Sequence, residues 1–174
     1  MGCYSLLKHH EHAHEDAIWT LAWASPQTLI TGSLDTTAKV WNIHSQGGQL
    51  KLTEDRVFED FALGVISIDI APNSSVVAIA DLASRIRLFD LDKFCEIKTI
   101  DASPVDSWKI KFSPDGKHLA TGSVSGKINL YSTNATGDTT KTQFDAGKFA
   151  YSVDFVSIRS NYGSSFVTKT SLND

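Results

Sequence analysis

The sequence predicts an all-β repeat protein. Three observations carry that reading: self-similarity at a fixed period, short apolar segments bounded by turn residues, and no competing helical period. The first copy runs AIWTLAW then TLITGSLDTTAKVWNI, the second GVISIDI then VVAIADLASRIRLFDL, and the third DSWKIKF then HLATGSVSGKINLYS. Trp41, Phe89 and Tyr131 fall in register, 48 and 42 residues apart, as do Gly32, Ala80 and Gly122. A fourth copy opens at AYSVDF, with Phe155 matching Phe112, and then loses the pattern.

Each element follows from its residues. Runs rich in Val, Ile, Leu, Thr and aromatics, separated by turns such as Ser113-Pro114-Asp115-Gly116, read as strands. The segment Ile18 to Trp23 is apolar on both faces, which suits an inner strand covered on both sides. A period of roughly 40 to 45 residues is that of β-propeller blades. The copies span about 10–43, 58–91 and 101–132, with the start of a fourth at 145–155. Tyr4 to Leu7 reads as the outer strand of a missing last blade, and residues 156–174 as a divergent tail foreign to the repeat. A seven-blade ring needs roughly 300 residues. The sequence is therefore expected to hold about three and a half blades of such a ring, as a truncated product or one whose last segment comes from a different reading of the gene.

Composition narrows the function. Against 20 Asp and Glu there are only 16 Lys and Arg, unclustered, so direct nucleic-acid binding is not expected. Cys3 and Cys95 form no CxxC pair, which argues against a disulfide framework or thiolate metal site and for a reducing, intracellular compartment. No apolar run approaches a membrane span and no signal-peptide core opens the chain, so a soluble protein is expected. Lipidation at Met1-Gly2-Cys3 is disfavoured because Leu6 stands where the acylation pattern wants Ser or Thr. The run His9-His10-Glu11-His12-Ala13-His14 lacks metal-ligand spacing, and no metal or other cofactor is expected there.

A turn at Asp35-Thr36-Thr37, with pairing centred on Thr36, places Thr31 opposite Trp41, where it can hydrogen-bond the indole. The chain here resembles WD-repeat proteins: Ala13-His14 stands for the family's Gly-His and Trp41-Asn42 for its Trp-Asp. The resemblance implies a buried network of His14, Thr31, Asp35 and Trp41. Such a set superficially resembles a hydrolase triad, but a hydroxyl tied to an indole reads as structural rather than catalytic. The later copies replace Asp35 by Ala83 and Ser125 yet keep their strand pattern.

The resemblance also implies peptide binding on the rim where the inner strands begin. The positions there are Ala17 and Trp19, Gly64 and Ile66, Asp106 and Trp108, Phe149 and Tyr151, with Leu34, Leu82 and Val124 before each turn. Four large aromatics beside the acidic Asp106 suit a short peptide carrying one apolar and one basic residue.

The order HEDAIWTLAW, TGSLDTTAKVW, GVISIDI, IRLFDL and IDASPVDSWKIKFSPDGKHLATGSVSGKINLY, over roughly residues 4 to 155, is similar to the WD-repeat subunit family of the superkiller complex. That resemblance implies a non-catalytic scaffold for a tetratricopeptide subunit and a helicase that feed the cytoplasmic RNA exosome. It further implies association with the RNA polymerase II-associated factor complex, hence presence in nucleus and cytoplasm. A ubiquitin-ligase substrate receptor, a histone-peptide reader and a non-functional truncated product are the alternatives.

Overall fold

The computed structural model describes residues 9–47, 49–72, 74–102, 107–134, 141–147, 149–155 and 166–167. The proposed Tyr4-to-Leu7 strand lies outside the described residues. The described residues form strands and turns with no helix, and hence no helix long and apolar enough to cross a membrane.

Three four-stranded antiparallel sheets follow one another along the chain. The first is β1 (Ile18–Ser25), β2 (Thr28–Ser33), β3 (Ala38–Gln46) and β4 (Gln49–Phe58). The second is β5 (Val65–Ile70), β6 (Val76–Asp81), β7 (Arg85–Asp90) and β8 (Cys95–Asp101). The third is β9 (Lys109–Phe112), β10 (His118–Gly122), β11 (Lys127–Ser132) and β12 (Lys141–Asp145). A fourth begins with β13 (Asp154–Phe155), which pairs with β14 (Phe166–Val167). Phe155 lies opposite Phe166, whereas the matching Phe112 lies opposite Leu119, so a longer connector separates the partners in the fourth unit.

The turns explain why each sheet folds back where it does. Leu34-Asp35-Thr36 closes the β2–β3 hairpin, with Thr36 at φ 68°, and the matching Ser84 and Gly126 adopt φ 62° and 79°. Three-residue hairpin loops commonly end in such a left-handed residue. The centre of pairing is consequently Asp35 rather than Thr36: Thr31 faces Lys39 and Trp41 faces Leu29, two residues from the register the sequence suggests. At the other end of the third sheet the Ser113–Gly116 turn is held by Ser113 Oγ donating to Asp115 Oδ1 at 2.5 Å, with Gly116 at φ 70°.

Successive sheets contact through their first strands, β1 against β5, β5 against β9 and β9 against β13. The seams are also polar-locked. Thr20 Oγ1 accepts the Ile68 N–H at 3.1 Å, and the equivalent Ser67 Oγ accepts that of Ile110 at 3.2 Å. Asp69 adds the Phe112 N–H at 2.6 Å and Lys111 at 2.8 Å. Each seam has its own apolar core. Val77 and Ile79 join Ile30, Val40, Phe58 and Val65 between the first two sheets, while Ala78 and Ala80 join Ile110, Phe112 and Leu119 between the second and third. Strand β6 is thus buried on both faces, and its sequence VVAIA is an unbroken apolar run for that reason.

Strand β1 differs from the expectation that it is covered on both sides. Thr20 is buried against the second sheet, but Leu21 and Trp23 on the opposite face are 60% and 54% exposed, because the described residues place no sheet there.

Candidate functional site

The four network residues come together at one end of the first sheet. Trp41 Nε1–H donates to Thr31 Oγ1 at 2.8 Å. In the observed register this is a diagonal contact, which a long aromatic side chain spans readily. Thr31 Oγ1 lies 2.7 Å from His14 Nε2, and His14 Nδ1 lies 2.8 Å from Asp35 Oδ2. With the indole proton on Thr31, the hydroxyl donates to Nε2 and the ring's Nδ1–H donates to Asp35.

Residues that the sequence did not single out complete the set. The Glu15 N–H reaches Asp35 Oδ2 at 3.0 Å, the Thr37 hydroxyl and N–H reach Oδ1 at 2.7 and 3.0 Å, and Ser33 Oγ accepts the Asp35 N–H at 3.1 Å. Burial by itself raises the Asp35 pKa. The hydrogen bonds from Thr37, His14 and Glu15 overcome that and hold it at about 2. The His14 side chain is 0% exposed and Thr31 is buried, so the hydroxyl is both occupied and closed to a substrate. The arrangement stabilises a turn and has no open face for chemistry.

The neighbouring histidines diverge. His9 contacts Glu11 at 3.9 Å and His10 sits edge-on to Trp41 with ring centroids 5.2 Å apart. Among the described residues no group of three or more His, Cys, Asp or Glu side chains is placed to hold a metal ion.

Several of the rim positions are in contact with one another. The Leu34 N–H donates to the Ala17 carbonyl at 3.0 Å and the Leu82 N–H to that of Gly64 at 2.9 Å, which ties each turn to the start of its inner strand. A Cβ at Gly64 would collide with Leu34, so a glycine is required for the first two sheets to meet there. Pairing skips Trp19 in the first sheet and Ile66 in the second, a β-bulge in each case. Bulges re-aim a side chain. The equivalent third position is Trp108, whose N–H donates to the Gly122 carbonyl at 2.7 Å. Asp106 lies outside the described residues.

Trp19 and Trp108 meet edge-to-face at 5.9 Å, Trp108 and Phe149 likewise at 5.9 Å, and Phe149 stacks on Tyr151 at 3.7 Å. One aromatic chain therefore bridges the first, third and fourth units. Trp19 and Tyr151 remain 47% and 52% exposed. Beside Trp108 a cavity of about 140 Å³ is lined by Ile66, Leu82, Ser84, Ser107, Trp108 and Val124. Ser84 and Ser107 line this cavity although neither was among the rim positions the sequence singled out. A larger recess of about 540 Å³ opens at the other end of this seam, beside the Ser113–Gly116 turn and away from the aromatic rim.

Radially succeeding four-stranded sheets that contact through their first strands define a β-propeller fragment, and the closed His-Thr-Asp-Trp network marks its repeat class. A family model for the WD domain, G-beta repeat, matches residues 4–42 and 95–132. The chain carries WD repeats. It is 37% identical over 152 residues to WD repeat-containing protein SL1-17 of Schistosoma mansoni, covering 84% of this chain and 49% of that protein. Identity to WD repeat-containing protein VIP3 of Arabidopsis thaliana is 34% over 133 residues, 73% of this chain and 40% of that one. Superkiller complex protein 8 of Dictyostelium discoideum is 37% identical over 109 residues, 63% of this chain and 35% of that protein. The chain thus spans half or less of the length of these relatives. A chain in a crystal structure of the mitotic checkpoint complex superposes with a TM-score of 0.66 at 17% identity, over 80% of this chain and 43% of that chain, a likeness of fold.

Proposed function

We propose that the chain is part of a non-catalytic protein-interaction scaffold that binds a linear segment of its partner along the aromatic rim. The observation that carries this reading is the contiguous set Trp19, Trp108, Phe149 and Tyr151, because mutually braced aromatics whose outer members Trp19 and Tyr151 stay exposed cost solubility unless a partner covers them and are the residue types that dominate interaction hot spots. Glu15 and Asp16 are exposed at the start of β1 beside Trp19, which favours a basic segment.

The similarity to superkiller complex protein 8 supports a place in that type of assembly. In this reading the partners are a tetratricopeptide scaffold and a helicase acting with the exosome in cytoplasmic mRNA decay. A second assignment of the same surface is to the RNA polymerase II-associated factor complex during transcription elongation, so the protein works in both nucleus and cytoplasm.

Capture of the tetratricopeptide subunit tests the reading. Changing Trp19 and Trp108 together to Ala should abolish capture while shifting the melting temperature little. Equal loss of capture and stability would assign both residues to packing between sheets instead.

A further inference from the structure

On the side away from the aromatic rim, the first two seams each end in a recess, and the two recesses are built from equivalent positions. Val40, Asp55, Leu91, Asp92 and Phe94 line the first, and Leu88, Ile97, Thr133 and Asn134 line the second. The hydrogen-bond ladders set these residues against one another. Pairing skips Asp55 between Val40 and Trp41, and Ile97 between Leu88 and Phe89, so each is the bulge residue of its outer strand. The Leu91 N–H donates to the Ser75 carbonyl and the Thr133 N–H to that of Lys117, which matches Leu91 and Asp92 with Thr133 and Asn134.

The two recesses are filled differently. In the first, Phe94 folds in from the β7–β8 turn, stacks on Phe58 with ring centroids 4.9 Å apart and lies under the Arg56 guanidinium at 4.2 Å. Leu91 packs against the same core. The second has a threonine for Leu91, and the connector 135–140, which lies outside the described residues, reads ATGDTT, with no aromatic to match Phe94. The first recess measures about 360 Å³ and the second about 540 Å³. Val76, Leu88 and Phe112 line the second recess and belong to the core between its sheets, and Ile97, 39% exposed, stands where the first recess has Asp55. Charge differs as well. Where Asp55 and Asp92 line the first recess, the second has Ile97 and Asn134, with Lys117 exposed beside them and Lys98 donating to the Asn134 carbonyl at 3.3 Å. Asp115, the carboxylate lining the second recess, already accepts the Ser113 hydroxyl and the Lys117 N–H.

We propose that the second recess is a docking site for a partner protein, separate from the rim, and that its occupant is an acidic segment presenting one phenylalanine, which takes the place that Phe94 takes in the first seam. A cavity of about 150 Å³ already admits benzene, so this recess has room for the ring. There the ring meets Phe112 and Ile97, and aromatic pairs add to the gain from burial alone. Carboxylates flanking the anchor are drawn to Lys117 and Lys98. The same segment is kept from the first recess, where Phe94 occupies the space and Asp55 and Asp92 repel it. Charge therefore chooses between two sites of one architecture.

Labelled peptides test this on the whole chain. Fluorescein-Glu-Gly-Asp-X-Gly-Asp-Glu, with X as Phe or Ala, and the Phe peptide with every acidic residue changed to Lys, are titrated by anisotropy. The acidic Phe peptide should bind about ten-fold or more tighter than the Ala peptide, the discrimination an apolar pocket gives, and tighter than the Lys-flanked one. Ile97→Asp, which brings in the residue of the first recess at a partly exposed bulge, should remove the preference for Phe over Ala. Lys117→Glu, at an exposed turn position, should weaken the acidic Phe peptide and should do so even if Ile97→Asp fails to fold. Equal affinity for Phe and Ala guests, or a Lys-flanked peptide that binds as tightly as the acidic one, overturns the proposal. Binding that survives Ile97→Asp but is lost in the Trp19→Ala/Trp108→Ala double variant places the peptide on the rim and overturns it too. So does the absence of binding by the acidic Phe peptide.

Discussion

Asp35 concentrates more interactions than any other side chain of the network, and its replacement is the sharpest probe of it. Asp35→Ala leaves His14 Nδ1 and the Glu15 and Thr37 N–H groups without their acceptor, a loss of about 1 to 3 kcal/mol. A thermal melt should fall accordingly, and an unchanged curve would mean that the network contributes nothing. The reciprocal change Ala83→Asp should not stabilise the second sheet, where Phe61 and Ile79 replace the His14 and Thr31 partners. Acid provides an independent check. The Asp35 pKa is about 2 in the folded state against 3.8 ordinarily, so the carboxylate contributes stability that is complete above about pH 4 and lost as pH falls toward 2. The amount is on the order of 2 kcal/mol. Asp35→Asn should therefore flatten this part of the acid-unfolding profile, and superimposable profiles would contradict the assignment.

At the scale of elements, the hairpin turns show what the sequence discloses and what it does not. The repeat places Thr36, Ser84 and Gly126 in register, but a loop's residue count becomes visible only when its dihedral angles are known, so the pairing centre falls on Asp35 instead of Thr36. Thr36 is exposed and β-branched at φ 68°, a conformation that favours glycine. Thr36→Gly should raise the melting temperature, by about 1 kcal/mol of stability, and no rise would mean that Thr37 and its neighbours already relieve the strain. The membership of the His14 network was legible through the resemblance to WD-repeat proteins, since the other copies of this chain do not repeat it. Ser33 and Thr37 were not, since a hydroxyl's partner depends on tertiary placement. The second sheet illustrates the same limit: Phe89 occupies the Trp41 position, and instead of a polar network it packs at a tilt on Phe58, ring centroids 4.5 Å apart, and carries Arg87 at 4.8 Å, an arrangement that no periodicity encodes. The rim positions could be read from the start of each inner strand, but not the meeting of Trp19 with Trp108, which lie 89 residues apart in sequence.

Across the whole molecule, burial is uneven. The seams between sheets are closed, whereas β1 presents Ile18, Leu21 and Trp23 to solvent on the face opposite Thr20. Contiguous exposed apolar surface of this kind drives association. The chain by itself should elute as a polydisperse population with irregular light scattering, and a monodisperse species with a sharp cooperative melt would contradict that expectation. The central claim, that the aromatic rim is a partner-binding face, is tested most directly by hydrogen exchange on the chain with and without the tetratricopeptide subunit proposed above as its partner. Binding should slow exchange at residues 17–19, 64–66, 107–108 and 149–151 while leaving the outer strands β4, β8 and β12 unchanged. Protection confined to those outer strands, with the rim unaffected, would contradict it.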